Sequence, residues 1–210
     1  MAKALSKVLG YVFVDSGAMY RGVTLYCRQH GLIVDGVPNE SEILAHLDSI
    51  SLSFAFNDSR GASDLFLNGA NVETLIRTPE VAGDVSKIAA LPFVRKKLVD
   101  EQRKMGENGG IVMDGRDIGS VVFPNAELKL FVTAAPVIRA ERRCLELQES
   151  GIKTNLEEVL HNLNERDYLD STREDSPLIQ TEDAIVIDTS HLNRDEQLQM
   201  ALDLVQDHLT

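Results

Sequence analysis

Two short runs in this 210-residue chain carry residue types that could do chemistry. Asp114-Gly115-Arg116-Asp117 follows an apolar stretch from Ile111 to Met113, and Asp15-Ser16-Gly17-Ala18-Met19-Tyr20-Arg21 follows Tyr11 to Val14 in the same way. Each places a small residue, an arginine and a carboxylate where a strand ends and a loop or helix begins. In open α/β sheets, ligands sit at that edge. A planar guanidinium grips a doubly charged anion through two parallel hydrogen bonds. Arg21 and Arg116 together therefore point to a phosphate ester, although either run alone suits a structural ion pair equally well.

The elements that must position these runs alternate along the chain. Ala2 to Leu9 has a helical apolar face and Gly10 as its stop, and Ser16 is placed to cap a helix that runs to Gly31. Asn39 with Glu42 forms a capping-box pattern for Glu40 to Leu47. The pattern then changes: Ile50, Leu52, Phe54 and Phe56 alternate with small or polar residues, the period of a half-buried antiparallel strand. Asp64 to Leu67 reads as its partner, and Asn68-Gly69 is a hairpin turn signal before Ala70 to Val72. Pro79 and Pro92 open two helices, through Ala90 and to about Gly106. Strands resume at Ile111 to Met113, Leu128 to Val132 and Ala184 to Asp188. Helices open at Pro136, Asn155 and Asn193. The pattern predicts an α/β core interrupted by a small β-hairpin and helical insert.

Composition narrows the class. The length fits one domain with an insertion, and 43% hydrophobic residues suffice for a core. A net charge of −12 argues against a general binder of nucleic-acid polymers or anionic membranes, both of which need a basic face. Free nucleotides remain compatible, since a few local arginines suffice. Cys27 and Cys144 stand far apart, the five histidines lack metal-ligand spacing, and no stretch approaches a membrane span. The expectation is a soluble, cytoplasmic protein.

The strings Val12-Phe13-Val14-Asp15-Ser16-Gly17-Ala18-Met19-Tyr20-Arg21 and Met113-Asp114-Gly115-Arg116-Asp117-Ile118-Gly119-Ser120-Val121-Val122-Phe123-Pro124 resemble bacterial cytidylate kinase. The likeness continues through Ser86 to Arg95 and Arg166 to Leu178, and so covers essentially the whole chain. It implies ATP-dependent phosphoryl transfer to CMP or dCMP, with Mg²⁺ accompanying ATP, by a monomer. It implies a P-loop-kinase-like parallel sheet flanked by helices, over residues 1–36 and 99–210. A helical lid is expected at about 140–175, and an antiparallel β plus helical CMP-binding insert at 37–98.

The resemblance also assigns residues. Arg116, Arg166 and Arg173 are implied as catalytic, with Arg21 and Arg116 on the CMP phosphate. Asp117, Ser86 and Arg95 resemble the set that reads cytosine, a carboxylate accepting from the exocyclic amino group while arginine and serine donate to ring acceptors. Uracil presents the opposite pattern there. Ser16 and Tyr20 face the same ligand one turn apart, and Tyr20 suits a core position equally. Asp170 resembles the residue that binds the ribose hydroxyls. Arg142 resembles an ATP-side lid arginine, with a solvated helix face as its alternative. Asp114 is placed to orient Mg²⁺ through waters.

One part of the pattern is absent. Such kinases open with a strand and a Gly-rich phosphate loop, and no G-x-x-x-x-G-K-S/T occurs in these 210 residues. Lys3 and Lys7, inside the first predicted helix, are no substitute. The expectation is therefore an N-terminally truncated copy, lacking the P-loop and the central first strand of the sheet and unable to turn over usefully. Two other readings compete: a non-catalytic nucleotide-binding remnant, and another nucleoside monophosphate kinase acting on UMP or AMP.

Overall fold

A computed structural model of the chain describes residues 1–149 and 151–209. Helix α1 (Ala2–Leu9) stops at Gly10, which adopts a left-handed φ of 68° and donates its N–H to the Ser6 carbonyl. Strand β1 (Val12–Asp15) leads directly into α2 (Ser16–Gln29). A two-residue ladder of β2 (Ile33–Val34) and β3 (Val37–Pro38) precedes α3 (Glu40–His46), whose first turn is capped by Asn39 through the Glu42 N–H. The alternating segment forms an antiparallel sheet of β4 (Leu52–Asn57), β5 (Ala62–Leu67) and β6 (Ala70–Asn71). Asn68 and Gly69 turn the chain between β5 and β6 with φ of 48° and 81°, the pair of positive values that a tight hairpin of this hand needs.

A 3₁₀ turn at Leu75–Arg77 leads into α4 (Pro79–Ala89) and α5 (Pro92–Gly106), each opened by the expected proline. The second half contains β7 (Ile111–Asp114), a π-helical turn at Ile118–Val122, β8 (Leu130–Thr133), α6 (Pro136–Glu149), α7 (Leu156–Thr172), β9 (Ile185–Asp188) and α8 (Arg194–Leu209). β1 pairs with β7 in parallel, Val12 opposite Ile111 and Asp15 opposite Asp114, and β8 pairs with β9 in parallel. Among the described residues these are two separate ladders. The result is an α/β fold with parallel and antiparallel sheets flanked by helices.

The main apolar core joins α2 to the antiparallel sheet, α4 and α5. Met19, Val23, Ile43, Leu65, Ile76, Ile88, Val94 and Leu98 are all fully enclosed in it. Close approach of α2 to the sheet depends on Gly22, where an added Cβ would come within 2.8 Å of Leu52 and 2.9 Å of Leu65. A second, smaller cluster holds Leu5 of α1 against Ala201 and Val205 of α8. No helix among the described residues is long and apolar enough to cross a membrane.

Candidate active site

The parallel register of β1 and β7 brings the two sequence runs side by side. Asp15 and Asp114 are direct neighbours at the strand tips. Desolvation first, and then the Asp15 charge, raise the Asp114 carboxyl above its usual range. The expected cap of α2 is corrected here: Asp15, not Ser16, accepts from the Ala18 N–H at 2.9 Å. The Ser16 hydroxyl instead donates to the Asp114 carbonyl at 2.7 Å and stitches the two runs together. That contact requires Gly115, since a Cβ there would stand 2.2 Å from the Ser16 oxygen.

Arg21, on the second turn of α2, donates to the Ile76 carbonyl at 3.3 Å. Its burial, with the nearby charges of Arg166 and Arg77, pushes its guanidinium down to about 10. Asp170, buried on α7, gathers three further arginines. Arg116 Nε donates to it at 3.0 Å, Arg173 Nη1 at 3.3 Å, and Arg166 Nε lies 3.7 Å away. Desolvation and the Arg116 charge lower Arg166, while burial and the Arg95 charge lower Arg173. In Arg21, Arg166 and Arg173 alike, burial is the larger cause and a neighbouring guanidinium adds to it.

Beside this group lies a second, deeper one. Arg95, only 2% exposed, pairs with buried Asp117, and its Nε is 3.9 Å from Asp175. Its guanidinium carbon stands 5.5 Å from the centroid of the Tyr20 ring. Burial pushes the Tyr20 phenol up to about 12. Several donors here are buried without a hydrogen-bond acceptor: the Tyr20 hydroxyl, Arg95 Nε, Arg166 Nε and Arg173 Nη2. Unsatisfied buried donors are costly, so their concentration marks a place where a ligand brings acceptors.

Most of the residues singled out from sequence thus converge: Ser16, Tyr20, Arg21, Arg95, Asp114, Arg116, Asp117, Arg166, Asp170 and Arg173. Two do not join the network. Ser86 is half-buried on α4 and makes no side-chain hydrogen bond among the described residues. Arg142 donates to Thr189 Oγ1 at 3.1 Å, to the Thr189 carbonyl at 2.6 Å and to the Leu192 carbonyl at 3.2 Å, in the loop after β9. Sequence reasoning missed Arg143, one residue on, whose charge acts on both Arg21 and Arg166. It also missed Asp175 and Arg77. The only sequence signal for Arg143 was its four-residue spacing from Arg139 on one helix face.

A sequence profile of the family described as Cytidylate kinase matches residues 1–207. A cytidylate kinase of Parabacteroides distasonis is 56% identical over 94% of this chain and 86% of that protein. One from Flavobacterium psychrophilum is 51% identical over 98% and 91%, and one from Porphyromonas gingivalis 49% over 99% and 90%.

These matches correct the expectation of an N-terminally truncated, P-loop-deficient and inactive copy. The family match covers residues 1–207, and the Flavobacterium psychrophilum and Porphyromonas gingivalis relatives and one from Flavobacterium johnsoniae are spanned over 90–91% of their length at 49–52% identity, so the chain is read as a family member and not as an inactive copy. With the site geometry and the extent of these matches together, the chain belongs to the cytidylate kinase family.

Proposed function

We propose that the protein transfers the γ-phosphoryl group of ATP to CMP or dCMP, giving ADP and CDP or dCDP. The observation that carries this reading is the set of buried donors without acceptors around Tyr20, Arg95, Arg166 and Arg173. A nucleoside monophosphate brings acceptors of two kinds to such a place, phosphate oxygens at one end and ring atoms at the other.

In this reading the shallower arginines, Arg21 and Arg116, hold the CMP phosphate, and Arg166 and Arg173 stabilise charge on the phosphoryl group in transit. The deeper group reads the base. Asp117 retains lone pairs beyond its bond to Arg95 and accepts from the cytosine amino group, while Arg95 and Ser86 face ring acceptors. Asp170, already oriented by its arginines, accepts from the ribose hydroxyls, and Ser16 and Tyr20 line the same ligand. Residues 37–98 act as the CMP-binding domain, 140–175 as the lid, and Arg142 as its ATP-side arginine. The two parallel ladders are read as parts of one kinase-like sheet.

No general base is required, because the attacking phosphate oxygen is ionised near neutral pH, its second pKa being about 6. The protein's work is to position the reactants in line and to neutralise charge. Among the described residues no group of three or more His, Cys, Asp or Glu forms a chelating cage. Asp114, at the tip of β7, is placed to orient through waters a magnesium ion that arrives on nucleotide phosphates, while both oxygens of Asp15 are taken up by the Ala18 N–H and Arg77. When bound, that ion supplies charge neutralisation on the transferred group.

The test is release of ADP from ATP and Mg²⁺ in the presence of CMP, dCMP, UMP or AMP in turn. Turnover with CMP or dCMP well above that with UMP and AMP is expected. Preference for UMP or AMP, or turnover with none of the four, would overturn the proposal.

A further inference from the structure

The 3₁₀ turn at Leu75–Arg77 belongs to the insert, yet it grips the start of α2 at two points. Its Ile76 carbonyl accepts from Arg21, and Arg77 Nη2 donates to Asp15 Oδ2 at 2.9 Å, a contact spanning 62 residues of sequence. Asp15 is not a passive partner. Its other oxygen caps α2 through Ala18, and its backbone is in register with Asp114.

The same guanidinium is anchored to the insert. Its Nη2 also donates to Glu73 Oε1 at 3.0 Å, and its Nε to the same oxygen at 3.3 Å. Glu73, itself buried, accepts from the Leu65 N–H at 3.1 Å in the middle of β5. Arg60 lies 3.6 Å from Glu73 and donates to Asp64 at 2.6 Å. An ionic strut therefore runs from β5 through Glu73 and Arg77 to the carboxylate that caps α2.

We propose that Arg77 is a positioning residue for the acceptor phosphate. It acts through Asp15 to fix the first turns of α2, and with them Arg21 and the Ser16 stitch to Asp114. The physical reason is charge: Asp15 and Asp114 repel at the strand tips, and Arg77 supplies a cation that holds Asp15 in its capping geometry. A salt bridge of ordinary surface type has little effect. Here the partly exposed Arg77–Asp15 pair is one link of a chain tied to backbone donors at both ends, the Ala18 N–H on Asp15 and the Leu65 N–H on Glu73, so moving Arg77 moves the cap. The kinetic part of this inference rests on the proposed role of Arg21; the structural part does not.

The experiment combines Arg77→Met, Arg77→Lys and Asp15→Asn with amide hydrogen exchange on the unliganded protein and steady-state kinetics. In Arg77→Met the amides of residues 18–21 are expected to exchange about tenfold faster, the scale set by one charge-assisted hydrogen bond. KM for CMP should rise by about the same factor, while KM for ATP stays within about twofold. Arg77→Lys should restore part of the CMP affinity, since a single point charge still reaches Asp15. In the Asp15→Asn background, Arg77→Met should add almost nothing. Unchanged exchange at 18–21, or a fully additive double mutant, overturns the strut. If exchange changes as expected but the wild-type protein does not phosphorylate CMP, the strut stands and the proposed activity falls.

Discussion

Around α2 and the insert, a single apolar cluster runs from Val14 to Leu98 and encloses Met19, Ile43, Leu65, Ile88 and Leu98 completely. Around α1 and α8 the corresponding cluster consists of Leu5, Ala201 and Val205, with only partly buried neighbours such as Val112 and Leu130. The difference teaches where this fold invests its rigidity. Burying Arg95 and Asp117 together costs desolvation that only a fixed, hydrogen-bonded geometry repays. The wall that holds them must be a packed one. The α1 and α8 side carries no buried ion pair of that kind among the described residues and can be thinner.

Breaking the buried pair gives the largest expected effect. Asp117→Ala leaves Arg95 charged and enclosed, and urea denaturation should report a loss of about 3–5 kcal/mol. Joint replacement, Arg95→Met with Asp117→Leu, should recover much of that loss while cytosine selectivity disappears. A small effect of Asp117→Ala would show that water reaches Arg95 and that the two halves differ less than their packing suggests.

Next comes the packing contrast itself. Ile88→Ala in the large cluster should cost about 2–5 kcal/mol, and Leu5→Ala in the small one should fall at or below the low end of that range. Equal losses in thermal or urea unfolding would erase the comparison. Third, Arg173→Met should lower kcat/KM for CMP by about a hundredfold, the scale of one transition-state charge partner. It should do so with little change in melting temperature, because Arg116 and Arg166 remain beside Asp170.

The smallest effect is an alkaline one. Burial pushes the Cys27 thiol from 9.0 up to about 12 and the Tyr20 phenol from 10.0 up to about 12. Both groups stay protonated in the fold while the unfolded chain ionises. Their contribution to stability is therefore complete below pH 9 and declines as pH rises from 9 towards 12. Cys27→Ala should flatten the early part of that decline in a melting-temperature profile. An unchanged slope would mean that the large cluster admits solvent at Cys27.

Much of this was legible in the sequence because the relevant signals are local. The prolines at 79 and 92, Asn68-Gly69 and the Asn39 cap each specify an element within a few residues, and the structure places each where expected. Arg21 and Arg116 were legible because two strand ends advertised them, whereas Arg95, Arg166 and Arg173 came only through the family resemblance. What escaped depends on contacts between distant segments. Nothing near Arg77 hints that it reaches Asp15, and nothing near Asp175 hints at Arg95. Ser16 looked like a cap because its residue type suits one. Which of two adjacent cap-competent side chains takes the helix, and which takes a carbonyl on another strand, is decided only when β7 arrives.

That arrival has a kinetic side. The Ser16 hydroxyl and the Asp114 carbonyl are 98 residues apart in the chain, so pairing β1 with β7 closes a long loop before any reward is collected. The β4–β5 hairpin lies inside that loop and forms from near neighbours, and the packing of α2 on α4, with Arg28 and Asp84 separated by 56 residues, is a shorter closure too. As they condense, they shorten the path left to close. In such an order the apolar wall of α2, the antiparallel sheet and α4 is finished first, and the junction where the two strand tips meet is the last part to come into being.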